Sequence, residues 1–191
     1  MPTAFIGMGA NLASWAGPPE ATLVAAAERL GSLGRVTQRS SLYSTTPVGF
    51  DDQPRFVNAV VELETNLTPR ALLENLLAIE KDFGRDRTAG IANGPRTLDL
   101  DILLFDNFQI SEPGLVVPHP RLDERLFVLV PLCEIAPHLV SIGSGKTVSQ
   151  LLHNLTSRMK DKEHAVFPLQ FDGWRCGTSP GPGSGQFTGP S

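Results

Sequence analysis

The 191-residue chain holds only two cysteines, Cys133 and Cys176, far apart and without CxxC spacing. That excludes a disulfide framework, argues against a cysteine-rich metal site and fits a reducing compartment. Positive charge is also scarce: 16 Lys and Arg stand against 20 Asp and Glu, a formal net charge of -4. The global basic field of a nucleic-acid binder is therefore missing, and an anionic ligand has to be held by a local cluster of arginines. No apolar run approaches the ~20 residues of a membrane span. The first strand-like segment opens at Thr3, which leaves no room for a charged leader. The expectation is a cytoplasmic protein with neither nucleic-acid nor membrane partners. Two nucleotide-binding patterns are missing as well. "GSGKT" (Gly143 to Thr147) ends like a Walker loop but lacks the earlier glycine that the pattern needs, and "GMGANL" has Leu12 where GxGxxG needs its last glycine.

What is present is enough apolar residue content, 41%, to bury one real core, and a length that suits one domain better than two. Thr3 to Met8 alternates as a strand, with Gly9 to Asn11 as the turn that ends it. A helix is expected from Pro19 to Leu30, stopped by Gly31 and Gly34. "RVTQRSSLYST" and "RFVNAVVELET" read as second and third strands around the loop "TTPVGFDDQP". Thr68 and Pro69 start a helix whose apolar stripe is Leu72, Leu76, Ile79 and Phe83, closed by Gly84. A loop without apolar periodicity, "RDRTAGIANGPRT", leads into the strand "LDLDILLF". Then come a short extended piece, a proline-bounded turn at His119, a helix from about Leu122 broken or restarted at Pro131, and a last helix capped by Thr147 and Gln150. Hairpin-like adjacency of the second and third strands favours α+β over a parallel sheet. The folded domain is expected over 1–170, with a Gly, Pro and Ser-rich tail, 171–191, that buries almost nothing and is expected to be disordered.

Chemistry is concentrated in "GPRTLDLDILLF", Gly94 to Phe105. Leu98, Leu100, Ile102 and Leu104 alternate on one face of the strand, so Asp99 and Asp101 share the other with Leu103 and Phe105. Residues two apart on a strand lie about 6.5–7 Å from each other, close enough for both carboxylates to serve one or two hard cations such as magnesium. The bare pair leaves the plain alternative open, a strand with one wet face, although Asp is a poor strand former. Arg85, Arg87 and Arg96 precede the pair or flank it, and Arg121 and Arg125 follow. Arginine grips phosphate oxygens with a planar fork of donors, and each of these is otherwise a solvated surface charge. His119, between two prolines, lies on a turn where it can face phosphate or simply cap.

Taken together, "GANL" (Gly9 to Leu12), "TTPVGFDDQPRFVN" (Thr45 to Asn58), "GPRTLDLDILLF" and "VPHPRLDERLFVLVPLCEIAP" (Val117 to Pro137) resemble the 6-hydroxymethyl-7,8-dihydropterin pyrophosphokinases of folate biosynthesis. The resemblance runs from about Thr3 to Pro137 in the family's order. It implies a ferredoxin-like α+β fold, an antiparallel or mixed sheet with helices packed on it. It implies transfer of pyrophosphate from ATP, the co-substrate, to the pterin hydroxymethyl oxygen, releasing AMP. On that pattern Asp99 and Asp101 bind two Mg2+ ions, and Arg85 and Arg96 clamp the phosphates. Phe56 and Phe127 sandwich the pterin, Asn58 pairs with its edge, and Thr45, Pro47 and Val48 line the pocket, Thr45 and Val48 through backbone groups. Glu80, Arg87, Ile102, His119 and Arg125 fall on the ATP side. Dihydropteroate synthase is implied as a functional neighbour, and whether the tail leads to a fused domain stays open. Without the resemblance, Phe56 and Phe127 read as core.

Some positions depart from the familiar bacterial pattern: a loop one residue longer between Arg85 and Arg96, Asn93 for an aromatic, Thr88 for a lysine, Pro120 for an aromatic and Gly114 for a basic residue. These bear on loop closure and adenine contact and leave the metal and pterin positions as they are. Two other readings remain: a noncatalytic nucleotide-binding regulator, and a metal-dependent phosphohydrolase built on the aspartates.

Overall fold

A computed structural model describes residues 1–50, 52–87, 94–159 and 165–174 of the chain. Its centre is an antiparallel sheet in which β1 (Thr3–Ala10) lies between β4 (Phe56–Glu64) and β5 (Asp99–Phe105). On the far side of β4 run β2 (Arg35–Arg39) and β3 (Leu42–Thr45), and β10 (Val166–Leu169) closes that edge against β3. With α1 (Pro19–Leu30) after β1 and α2 (Pro69–Asp82) after β4, the order is βαββαβ with β2 and β3 together as the second strand. This is the ferredoxin-like arrangement, and α+β describes it.

Strand alternation sends two sets of side chains to two cores. Ala4, Ile6, Met8 and Ala10 of β1, Val57, Ala59, Val61 and Leu63 of β4, and Leu100 and Ile102 of β5 pack with Leu23 and Leu30 of α1 and Leu72 and Leu76 of α2. The opposite face carries Phe5, Val60, Leu103 and Leu104 against α3 (Leu126–Ile135) and α4 (Val148–Arg158). That second cover reaches only part of the face. The uncovered end holds Phe56, Asn58, Gly9, Asp99 and Asp101.

Several expected boundaries move. Gly9 and Ala10 continue β1 instead of turning, because both pair with β4. The expected second strand is two: Ser40 interrupts it, its hydroxyl accepting the Val60 N–H at 3.0 Å. Leu104 joins the aspartate side and Phe105 the opposite core, the reverse of simple alternation, because the register with β1 shifts between Phe5 and Ile6 and bulges β5 near Leu103. The freed Leu103 carbonyl accepts from His119 N–H at 2.9 Å. The extended piece before His119 is a hairpin, β6 (Ile110–Glu112) and β7 (Leu115–Val117), turning at Gly114 with φ 75°. A single 3-10 turn, Leu122–Glu124, precedes α3, which runs through Pro131 unbroken. Burial of Val128, Leu129 and Leu132 outweighs the one donor Pro131 removes.

Pro69 to Asp82 forms as the sequence predicts, Thr68 accepting the Ala71 N–H. Thr147 and Gln150 make a reciprocal capping box on α4, after the short ladder of β8 (Val140–Ser141) and β9 (Lys146–Thr147). β10 escaped the sequence reading because Pro168 breaks its pattern, which only an edge strand tolerates. The packed chain also extends past residue 171: Trp174 is 8% exposed, joins the core and donates from Nε1 to the Ser40 carbonyl at 2.7 Å. Residues 175–191, the rest of the expected tail, lie outside the described residues. No helix among the described residues is long and apolar enough to cross a membrane.

Candidate active site

The site grows out of one cross-strand row. Gly9 of β1 faces Asn58 of β4 on one side and Asp99 of β5 on the other. Two residues along β1, Gly7 faces Asp101. With no side chain between them, Asn58 and Asp99 flank an open floor; a Cβ on Gly9 would stand 2.8 Å from Asn58 Oδ1 and 4.0 Å from Asp99 Cβ. Asn58 is 6% exposed and donates from Nδ2 to Thr45 Oγ1 at 2.7 Å, which fixes the plane of its amide.

Over this floor opens a cleft of about 720 Å³, counting space shared with solvent. Its lining includes Thr45, Pro47, Val48, Phe56, Asn58 and Phe127 of the expected pterin set, and Arg96, Asp99 and Arg125 of the expected phosphate and metal set. Gly9, Thr46, Gly49 and Arg121 complete it. Arg121, which reads in the sequence as a surface charge, is thus a cleft residue. Gly9 was visible only as part of "GANL". The Arg96 guanidinium lies 5.4 Å over the Phe56 ring and that of Arg125 5.5 Å over Phe127. Both rings are partly exposed and line the cleft, and Phe127 also packs against the second core.

The two aspartates meet different neighbours. Asp99 is paired with Arg85 Nη1 at one oxygen and with Arg96 Nη1 at 2.7 Å at the other. Burial works to raise its pKa, but Arg85 and then Arg96 outweigh that and hold it below the usual carboxylate range. Asp101 has looser company, Arg125 Nη1 at 3.7 Å and His119 Nε2 at 4.0 Å. Burial and the nearby charge of Asp99 push it up to about 6. His119 accepts the Arg121 N–H at Nδ1, so its proton sits on Nε2, toward Asp101. Burial and Arg125 lower its pKa to about 4, which leaves it neutral at pH 7.

Four members of the expected ATP side, Glu80, Arg87, Ile102 and His119, are not among the residues that line this cleft. Glu80 is 1% exposed, and its oxygens accept from Arg85 at 2.8 Å, Arg87 at 2.5 Å and the Leu100 N–H at 2.8 Å. It holds two arginines beside the strand. Arg87 is drawn to Glu80 and away from the cleft. The Ile102 side chain is in the core with α1 and α2, because it points away from the aspartates. The expected departures Thr88 and Asn93 lie outside the described residues.

Among the described residues no cluster of three or more His, Cys, Asp or Glu could cage a metal by itself. Two carboxylates on one strand face are, however, the donor set with which magnesium binds when substrate phosphates and water complete its shell. The residues present therefore fit Mg2+ brought with a nucleotide.

Residues 5–137 match the family 7,8-dihydro-6-hydroxymethylpterin-pyrophosphokinase. The chain belongs to this family. A relative from Methylorubrum extorquens, named 2-amino-4-hydroxy-6-hydroxymethyldihydropteridine pyrophosphokinase, is 45% identical over 157 residues, covering 81% of this chain and 94% of the relative. An Arabidopsis thaliana folate synthesis bifunctional protein is 52% identical over 100 residues, 52% of this chain and 18% of that one. Among solved structures, Plasmodium falciparum HPPK-DHPS superposes with a TM-score of 0.64 at 16% identity, over 83% of this chain and 45% of that chain, a likeness of fold. This pyrophosphokinase is accordingly an ATP-dependent transferase of folate biosynthesis that acts on the hydroxymethyldihydropterin.

Proposed function

We propose that the cleft performs this transfer with the pterin held flat between Phe56 and Phe127 and edge-on to Asn58, its hydroxymethyl group directed at the aspartates. The observation that carries the reading is the row Asn58, Gly9, Asp99: one strand register puts a ring-edge amide and a carboxylate pair on either side of an open floor. An aromatic sandwich supplies area for a planar heterocycle, and the amide offers donor and acceptor together. Thr45 orients that amide through its hydroxyl as well as lining the wall.

Asp99 and Asp101 would hold two Mg2+ ions, whose chemistry is to neutralise charge on the triphosphate during transfer. Arg96 and Arg85, already on Asp99, and Arg125 on Asp101 reach the same region and can grip phosphate oxygens by their forks. The pterin hydroxyl oxygen bonds to the β-phosphorus, the bond from that phosphorus to the α-bridging oxygen breaks, and AMP leaves. The hydroxyl proton passes to solvent or to a phosphate oxygen; neutral His119 stands near Asp101. Catalysis is then positioning and electrostatics with no covalent enzyme intermediate. The setting is the cytoplasm, where ATP is supplied, and the HPPK-DHPS neighbour supports a functional link to dihydropteroate synthase.

The test mixes protein, ATP, magnesium and hydroxymethyldihydropterin and follows AMP. Pterin-dependent AMP is expected; pterin-independent phosphate would point to a hydrolase, and neither product to a binding protein. Asp99→Asn is expected to lower turnover at least about a hundredfold while the far-ultraviolet circular dichroism is unchanged. Near-normal turnover in that variant would remove Asp99 from the metal site.

A further inference from the structure

Asn11 is 4% exposed and does not line the cleft, yet its side chain joins both halves of it. Its Oδ1 accepts the Arg96 N–H at 2.8 Å. Its Nδ2 donates to Gln53 Oε1 at 3.0 Å and to the Pro54 carbonyl at 3.0 Å. Arg96 is the phosphate arginine three residues before Asp99, and Pro54 stands two residues before Phe56, a wall of the pterin cleft. Gln53 in turn donates to the Phe50 carbonyl at 2.7 Å, bracing the loop that carries Pro47 and Val48.

The side chain is not needed to keep β1 beside Arg96. The backbone N–H groups of Asn11 and Leu12 both donate to the Arg96 carbonyl, at 3.0 and 3.1 Å. What the amide adds is the arm to the loop: two donors, both spent on residues 53 and 54. A planar amide with its acceptor on one element and its donors on another fixes their separation and not merely their proximity. The reaction requires a pterin oxygen to lie in line with a phosphorus, and a misplacement of about 1 Å can cost on the order of a hundredfold in rate.

We propose that Asn11 is a positioning residue that locks the pterin loop to the backbone of Arg96 and so sets the two substrates in register. The proposal rests on the cleft holding the pterin as described above. Asn11→Asp separates its two arms, since the carboxylate still accepts from the Arg96 N–H but has nothing to donate to Gln53 or Pro54. Binding is measured separately for hydroxymethyldihydropterin and for a non-hydrolysable ATP analogue with magnesium, and kcat and KM are measured for both substrates.

The expected result for Asn11→Asp is a pterin Kd raised about tenfold or more, a nucleotide Kd within about threefold of wild type, and a kcat reduced as well. A role limited to general stability would move the two affinities together, and that outcome, or an unchanged pterin Kd in the folded variant, overturns the proposal. If Asn11→Asp does not fold, Gln53→Ala removes one of the two contacts of that arm and leaves the Pro54 carbonyl, so a smaller loss of pterin affinity is expected. A weaker pterin Kd with unchanged nucleotide Kd then supports the proposal, and two unchanged affinities overturn it. A wild-type protein that binds no pterin would instead overturn the site reading beneath it.

Discussion

Gly9 is the position where the smallest change should separate function from stability. Its backbone is ordinary strand, so alanine adds no conformational strain, and the only cost is space. The new Cβ would stand 2.8 Å from Asn58 Oδ1, whereas carbon and oxygen in close contact rest about 3.3 Å or more apart. The amide oxygen therefore has to retreat by roughly 0.5 Å. Asn58 can do this only by turning its amide, because its Nδ2 is tied to Thr45 Oγ1 at 2.7 Å. That hydrogen bond, worth about 1 kcal/mol net, is what folding loses. For a chain of this length that is a Tm fall of about 2–4 °C.

The effect on the ligand is larger. A turned amide presents its donor and acceptor in the wrong plane, leaving a ring-edge group of the pterin unpaired in a desolvated cleft at about 1–3 kcal/mol. The expected pterin Kd is therefore raised about tenfold or more, with nucleotide affinity within twofold because Asp99 Cβ, at 4.0 Å, is in ordinary contact. Fluorescence titration of the pterin, titration calorimetry of the nucleotide analogue and a thermal melt measure the three quantities. A folded Gly9→Ala protein whose pterin Kd stays within twofold of wild type would refute the placement of Asn58 at the ring edge.

Two further perturbations test the electrostatics and the packing. In the metal-free protein Asp101 is held up to about 6, so between about pH 4 and 6 the folded state binds more protons at this site than the unfolded state. This contribution to stability is complete below the unfolded pKa and is lost as pH rises through about 6; His119, lowered to about 4, has the opposite slope as pH falls. The difference in Tm between wild type and Asp101→Asn isolates the first: wild type should gain relative to the variant on acidification from pH 7 to 5, and a flat difference would show that Asp101 is not desolvated. Trp174→Ala should cost about 3 kcal/mol in denaturant unfolding with kcat nearly unchanged, since the ring is core, its Nε1 is bound to the Ser40 carbonyl and neither residue lines the cleft; an unaltered midpoint would detach the C-terminal segment from the fold.

The core helices and strands were legible because each obeys one local rule: Thr68 caps, Leu72 and Leu76 repeat at helical spacing, and Leu98, Leu100 and Ile102 alternate. What failed were features decided by partners distant in sequence. The bulge near Leu103 follows from pairing with β1, and nothing in "DILLF" announces it. β10 exists because β3 offers an edge, and Pro131 is tolerated because its helix is buried. At the site, the aspartates and arginines stood out by residue type. Glu80 entered only through the family resemblance, and its burial and its hold on Arg85 and Arg87 depend on partners that no local pattern announces. Asn11 and Gly9 were hidden for a related reason, since an amide's second arm and a missing side chain act through residues some 40 to 90 positions away.

The crowding of arginine around the aspartates has a physical reason. Two carboxylates on one face of a strand repel each other wherever solvent is partly excluded, and the raised pKa of Asp101 expresses first its burial and then that repulsion. The compensation comes from protein cations, Arg85 and Arg96 on Asp99 and Arg125 near Asp101. The planar fork that meets a carboxylate also meets a phosphate. A nucleotide arriving with divalent cations brings positive charge for the aspartates and negative charge for the arginines at once. Each group can then exchange one partner for another of the same sign without passing through an uncompensated buried state, which would cost several kcal/mol per ion. A lysine at position 96 would neutralise Asp99 as well as arginine does, but it would lose the fork and the face-on contact with Phe56. On the proposed reading, the pairing of aspartate with arginine lets both sets of partners be exchanged when the phosphates bind.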